Sequence, residues 1–379
     1  MRVDEFSITA NGQRSTVNGQ RSTVNGSRPT TNDKHLEFHR VKIFCIQKFL
    51  IIQTAFIGDV VLATPLIEKL HAFFPEAQID FLLRKGNELL LTDHPYIHDV
   101  LVWDKKKNKQ KNLFRMISRI RKNKYDKVIN LQRFFATGLL TAFSGAKETI
   151  GFDKNPWSFS FSKKIRHLVG GSLAIHEINR NQELIRDFTD ASVFRPKLYP
   201  STADFRCIEH LATQKFITLS PASVWFTKQF PPEKWISFIK NIPVGTPIYL
   251  LGGPGDTGLC ETMLDACKQS DVIILAGKLT FLQSAALMSK AVMNYVNDSA
   301  PMHFASAMNA PVTVVYCSTI PEFGFGPLSD VRHIVEIEEK LYCRPCGLHG
   351  YKECPEGHFR CARDIKTEQL VKTIPVENI

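Results

Sequence analysis

In several places along the chain, small polar or charged residues end an apolar run and open a helix-like segment. In Gln53-Thr54-Ala55-Phe56-Ile57-Gly58-Asp59, Gly58 permits a tight turn. The Asp59 carboxylate then sits just past the run Phe49-Leu50-Ile51-Ile52, where it can accept a proton. In Ser220–Trp235, Ser223 and Lys228 precede a helix that starts at Pro231 or Pro232, and a lysine there can neutralise a phosphate as a point charge. In Tyr295–His303, Asn297-Asp298-Ser299 passes directly into a helix. Unpaired N–H groups and the positive dipole end favour an anionic ligand at such a place. Leu251-Gly252-Gly253-Pro254-Gly255-Asp256 is a Gly-rich turn without the Gly-x-Gly-x-x-Gly spacing or the Gly-Lys-Ser/Thr of a P-loop. Its glycines, Gly253 among them, let backbone approach a nucleotide, and Asp256 is placed for ribose hydroxyls. Each stretch alone also fits a bland reading, a helix cap, a plain turn or a solvated loop lysine.

What positions these residues is an alternation of short β-rich runs with helical stretches. Phe49–Ile52, Ile79–Leu83, Val100–Trp103 and Lys127–Leu131 read as strands, with helices over Thr64–Phe74 and Leu113–Lys122. A second series runs through Phe216–Leu219, Pro247–Leu251, Val272–Leu275, Val292–Val296 and Val312–Tyr316. Its helices fall over Pro231–Lys240, Gly258–Lys268, Thr280–Lys290 and Met302–Met308. Continuous apolar strands alternating with helices predict parallel sheets covered on both faces. Two series predict an α/β protein of two Rossmann-like domains, residues 41–200 and 201–379, with the ligand in the cleft at the carboxyl ends of the strands. Residues 1–40 read as a disordered, dispensable tail. Asn11–Val17 repeats as Asn18–Val24, and so polar a repeat cannot offset its ordering entropy.

Composition narrows the class. A hydrophobic content of 44% and a charged content of 22% fit a globular protein. No apolar run reaches the roughly 18 residues of a membrane-spanning helix. The polar N-terminus shows no signal-peptide pattern, and nine cysteines in so long a chain fit a reducing cytoplasm. The net charge of +11 predicts attraction to a polyanion.

Taken in order, these segments resemble glycosyltransferase family 9, the heptosyltransferases of lipopolysaccharide core assembly. The pieces that carry it are Ile51–Thr54 with Ile57–Val61 and Pro65, Lys124–Ile129, Ser220–Trp235, Leu251–Gly255, Leu275-Ala276-Gly277 and Asn297–His303. The resemblance implies a GT-B fold and inverting, metal-independent transfer from an ADP-heptose co-substrate, with no cofactor required. It further implies Asp59 as general base, Lys228 with Ser223 at the donor diphosphate, and Asp298, Ser299, the Ala300 backbone and His303 as the donor-contacting loop. Asp256 falls where many members have Glu, and Ala300 replaces a glycine common in that loop, which narrows the pocket by one methyl. Other readings are a different nucleotide-sugar enzyme of this fold, such as an epimerase, or a non-catalytic sugar-nucleotide binder, which would have no use for Asp59.

A basic stretch includes Lys105, Lys106, Lys107, Arg115 and Arg119, with Leu113, Phe114, Ile117 and Ile120 as one apolar helical face. It is either a solvated surface helix or a face that meets an anionic inner membrane and its lipid-linked phosphorylated oligosaccharide acceptor from the cytoplasm. Nucleic acid is not expected, since no aromatic residues interleave with the charges. Cys343, Cys346, Cys354 and Cys361 raise a structural zinc site, against which the irregular spacing of the second pair speaks.

Overall fold

The computed structural model describes residues 46–169, 175–268 and 271–375. The repeat expected as a tail, residues 1–40, lies outside them. One sheet joins β1 (Lys48–Ile52), β2 (Gln78–Arg84), β3 (Asp99–Trp103), β4 (Lys127–Asn130), β5 (Glu148–Phe152) and β6 (Lys163–Ile165) in the order β3-β2-β1-β4-β5-β6, all parallel. The other joins β7 (Ile217–Ser220), β8 (Ile248–Leu250), β9 (Val272–Ile274), β10 (Met293–Asn297), β11 (Val312–Tyr316) and β12 (Arg332–Glu336) in the order β12-β11-β10-β7-β8-β9, again all parallel. Counted within each half, both sheets have the strand order of a Rossmann fold.

Crossover helices cover the sheets. They are α1 (Ile57–Val61), α2 (Thr64–Phe73), α3 (Lys109–Asn123) and α4 (Phe135–Ala142), then α5 (Glu177–Glu183) and α6 (Thr202–Ile208) between the two sheets in sequence. In the second half follow α7 (Pro232–Ile239), α8 (Thr257–Cys267), α9 (Phe281–Lys290) and α10 (Ala300–Ala307), with short α11 (Arg360–Arg363) and α12 (Thr367–Val371) last. Burial on both faces explains why the central strands are unbroken apolar runs: every residue of β1 after Lys48 is buried, as is all of β11. One apolar cluster continues from Phe49, Ile51 and Leu66 in the first half to Leu287, Met302 and Ala305 in the second.

Three strands escaped the sequence reading, each for a local reason. β5 is interrupted by Gly151, against which the Phe161 ring lies. β6 is only Lys-Lys-Ile, and β12 is a largely exposed edge strand, Arg-His-Ile-Val-Glu. Charged residues blunt such edges against unwanted pairing. On α3 the buried residues are Met116 and Ile120, whereas Phe114, expected on the apolar face, is 66% exposed.

In each sheet the strand order reverses at the central pair, β1 beside β4 and β7 beside β10. Loops leaving two such strands diverge and open a crevice. Asp59 follows β1, Lys228 follows β7, and Asp298 follows β10.

Candidate functional site

A cavity of about 300 Å³ lies between these loops. The first half lines it with Phe56, Gly58, Asp59 and Arg84, the second with Ser223, Trp225, Lys228, Asp298, Ser299, Ala300 and His303.

Asp59 sits in the first turn of α1, half-buried, and its Oδ2 accepts the Phe56 N–H at 3.0 Å. Burial, and then the Glu177 carboxylate, push its pKa up to about 6, against the backbone N–H groups and the Arg84 guanidinium, which pull it down. A carboxylate so tuned takes up a proton near neutral pH. Glu177 is itself paired with Arg180 at 2.6 Å, and Arg180 also donates to the carbonyls of Ile175 and Phe323, the latter beside the cavity.

Lys228 ends a short turn, and its Nζ lies 2.6 Å from Asp298 Oδ2. The Thr319 hydroxyl donates to the same oxygen at 2.6 Å. Asn297 fixes the two loops against each other: its Oδ1 accepts the Phe230 N–H and its Nδ2 donates to the Pro221 carbonyl. Ser299 is the N-cap of α10, but no side chain caps that helix end; the Ser299 hydroxyl turns back to the Asn297 carbonyl at 3.3 Å. A lysine and a helix N-terminus therefore face one space, an arrangement suited to an anion.

The two halves touch where His303 packs on Gly58. A Cβ at Gly58 would stand 2.7 Å from the imidazole Cδ2, so only glycine allows this approach. Burial pushes the His303 pKa down to about 3, leaving the ring neutral, and its buried Nδ1 has no hydrogen-bond partner.

Other expected site residues fall elsewhere. Gly253 and Asp256 do not line the cavity; the Asp256 carboxylate accepts the Gly253 N–H at 2.7 Å and closes its own turn. Lys105 is not a solvated surface cation: its Nζ donates to the Thr54 carbonyl and hydroxyl at 2.9 and 2.8 Å, over the Trp103 ring. Burial, then Arg84 and Lys109, push its pKa down to about 8. Lys106, Lys107 and Arg115 are exposed, and Arg119 pairs with Asp99. The zinc reading of Cys343, Cys346, Cys354 and Cys361 gains no support: they are free thiols, and among the described residues no three His, Cys, Asp or Glu side chains are grouped to hold a metal ion.

Arg84, Trp225, Phe323 and His349 line the cavity without having been singled out from the sequence. Arg84 alone had a usable signal, as the charged last residue of a buried strand.

Two parallel sheets facing a crevice, with a tuned carboxylate on one side and a cation beside a helix N-terminus on the other, define an α/β fold of the GT-B type. A family model, Glycosyltransferase family 9 (heptosyltransferase), matches residues 113–353. Lipopolysaccharide heptosyltransferase 3 of Escherichia coli is 28% identical over 281 residues, 70% of this chain and 82% of that protein. Among solved structures, a glycosyl transferase family 9 protein from Veillonella parvula superposes with a TM-score of 0.74 at 21% identity, covering 86% of this chain and 95% of that one. The E. coli ADP-heptose lps heptosyltransferase II superposes at 0.70 with 19% identity, over 86% and 97%. The chain belongs to glycosyltransferase family 9 and is a glycosyltransferase.

Proposed function

We propose that this enzyme moves a heptose from ADP-heptose to a lipopolysaccharide core acceptor, with inversion and without a metal. The observation that carries the reading is that Asp59 and the Lys228–Asp298 pair line one cavity from opposite halves. The acceptor hydroxyl attacks the anomeric carbon as the bond to the diphosphate oxygen breaks. Its proton passes to Asp59, and a single displacement of this kind inverts the anomeric centre. The leaving ADP gathers negative charge, which Lys228 and the N-terminus of α10 stabilise. Asp298 and Thr319 position Lys228. Ser223, Ser299, the Ala300 backbone and the neutral His303 complete the donor wall.

The substrate class draws support from the relatives, which are named as lipopolysaccharide heptosyltransferases and, in one case, for ADP-heptose. A phosphorylated, lipid-linked acceptor suits the cations on the first half, Arg84 and Lys105. The enzyme then works as a peripheral protein on the cytoplasmic face of the inner membrane; no helix among the described residues is long and apolar enough to cross a bilayer.

The test is a ligand-stabilisation screen of ADP-, GDP- and UDP-sugars followed by a transfer assay. A ligand that binds only the folded state raises Tm. ADP-heptose should raise it most and support product formation. Stabilisation by a UDP-sugar with none by ADP-heptose refutes the donor assignment.

A further inference from the structure

A cluster of aromatic rings stands on the surface of the first half with no role in the cavity. Phe134, Phe135 and Phe159 are 61%, 59% and 75% exposed, and Phe143 is also exposed. Three of them gather around Trp157, whose ring lies 5.5 Å from Phe135, 5.7 Å from Phe143 and 5.7 Å from Phe159; Phe134 precedes Phe135 in the chain. The cluster is built, not incidental. The turn that carries Trp157 packs directly on α4 at Gly138, where a Cβ would stand 2.9 Å from the Trp157 Cβ. Asn155 holds the turn by donating to the Gln132 and Phe134 carbonyls. So many exposed rings in one place exceed the scattered apolar residues of an ordinary surface.

Positive charge borders the rings. The Arg121 guanidinium reaches the Phe143 carbonyl at 3.4 Å, which sets the cluster beside α3, a helix whose Arg115 and Lys122 are also exposed. Arg133, next to Phe134 in sequence, and Lys154, next to Asn155, are exposed as well. The cluster also lies at the carboxyl edge of the first sheet. Gln132 follows β4, and its side chain bonds that of Gln53 just past β1, on the loop that leads to Asp59.

We propose that this aromatic cluster, with its basic border, is a docking surface for an anionic lipid bilayer. Aromatic rings settle at the headgroup level of a membrane, and neighbouring Lys and Arg add attraction to anionic lipids. The charge complementarity is the argument for this occupant: the chain carries +11, and the rings are flanked by cations. Docked this way, the enzyme holds the Asp59 side of the cavity toward the membrane. The surface gives the lipid-linked acceptor of the proposed reaction a route to the site, and it rests on that reading only for this purpose.

The experiment is co-sedimentation of the full chain with vesicles of phosphatidylethanolamine and phosphatidylglycerol, without sugar substrates. Phosphatidylcholine vesicles serve as the neutral comparison. Binding should favour the anionic vesicles and weaken with salt. The exposed triple variant Phe134→Ser/Phe135→Ser/Phe159→Ser should bind them at least about tenfold more weakly. Its Tm shift with ADP-heptose should match the parent's, which separates this proposal from the transfer reading. Brominated lipids should quench tryptophan fluorescence in the parent, and Trp157→Phe should remove most of that quenching. No binding by the parent, or full binding by the triple variant, overturns the proposal. So does parent self-association that the triple variant loses, since the rings would then meet a second copy.

Discussion

Replacing Asp59 by Asn should stop transfer and stabilise the protein at the same time. The carboxyl pKa is raised from 3.8 to about 6, mainly by burial, so folding disfavours its charged form. A shift of about two units corresponds to about 3 kcal/mol, and the partial exposure of the side chain reduces this to on the order of 2 kcal/mol. The sign follows from proton counting. Below pH 3.8 the carboxyl is neutral both folded and unfolded, and the Asp59→Asn substitution should confer no advantage. Between 3.8 and about 6 the unfolded chain ionises first, and the parent loses stability relative to the variant. Above about 6 the gap is constant. The amide keeps the cap, because its Oδ1 can still accept the Phe56 N–H. His94, His167 and His303, with pKa values pushed down by burial, make both proteins lose stability together as pH falls, so the difference cancels them. The assay is a pair of melting curves at pH 4 and pH 8, with transfer followed by chromatography of released ADP. The variant should melt a few degrees higher at pH 8 and by only about a fifth of that margin at pH 4, with a rate lowered by about 10²-fold or more. Equal melting at pH 8 refutes the raised carboxyl pKa, and an unimpaired rate refutes the base assignment.

For the parent, kcat/KM should rise about tenfold from pH 5 to pH 7, as Asp59 loses its proton with a pKa of about 6; a flat profile would place the base elsewhere. Lys228→Ala should weaken ADP-heptose binding by at least about tenfold, read by calorimetry, since it removes a charge-assisted contact and leaves the Asp298 carboxylate without its cation. Gly58→Ala puts a methyl against the His303 ring. It should lower kcat more than it changes donor affinity, and a fully active variant would show that the two halves need not meet there. Thr319→Val should raise the KM for donor about threefold to tenfold, as Lys228 loses the group that orients its partner.

Most of the central strands were legible because burial on both faces forces unbroken apolar runs such as Phe49–Ile52 and Val312–Tyr316. The loops at Asp59, Lys228 and Asp298 were legible for a related reason. Each follows a central strand, and polar residues there interrupt an apolar pattern abruptly. Peripheral pieces gave no such signal: β6 is three residues, and α5 is made almost wholly of polar residues that bury themselves by pairing, Glu177 with Arg180. Side-chain destination was also hidden. Lys105 looks in sequence like its neighbours Lys106 and Lys107, yet it folds inward onto Thr54 while they stay exposed. Asp256 had the right type for ribose and is spent on its own turn. Its carboxylate already meets a local donor, and spacing cannot reveal that.

The hydrogen bond from the Phe56 N–H to one oxygen of Asp59 bears on regiochemistry. A sugar offers several hydroxyls of nearly equal acidity, and a freely turning carboxylate would activate whichever came near. With Oδ2 held at 3.0 Å by the Phe56 N–H the carboxylate turns less freely, and on the proposed reading it meets the acceptor in a restricted orientation. On the proposed reading, a backbone amide at the N-cap of α1 thereby takes part in the choice among acceptor hydroxyls, before any contact with the acceptor sugar is counted.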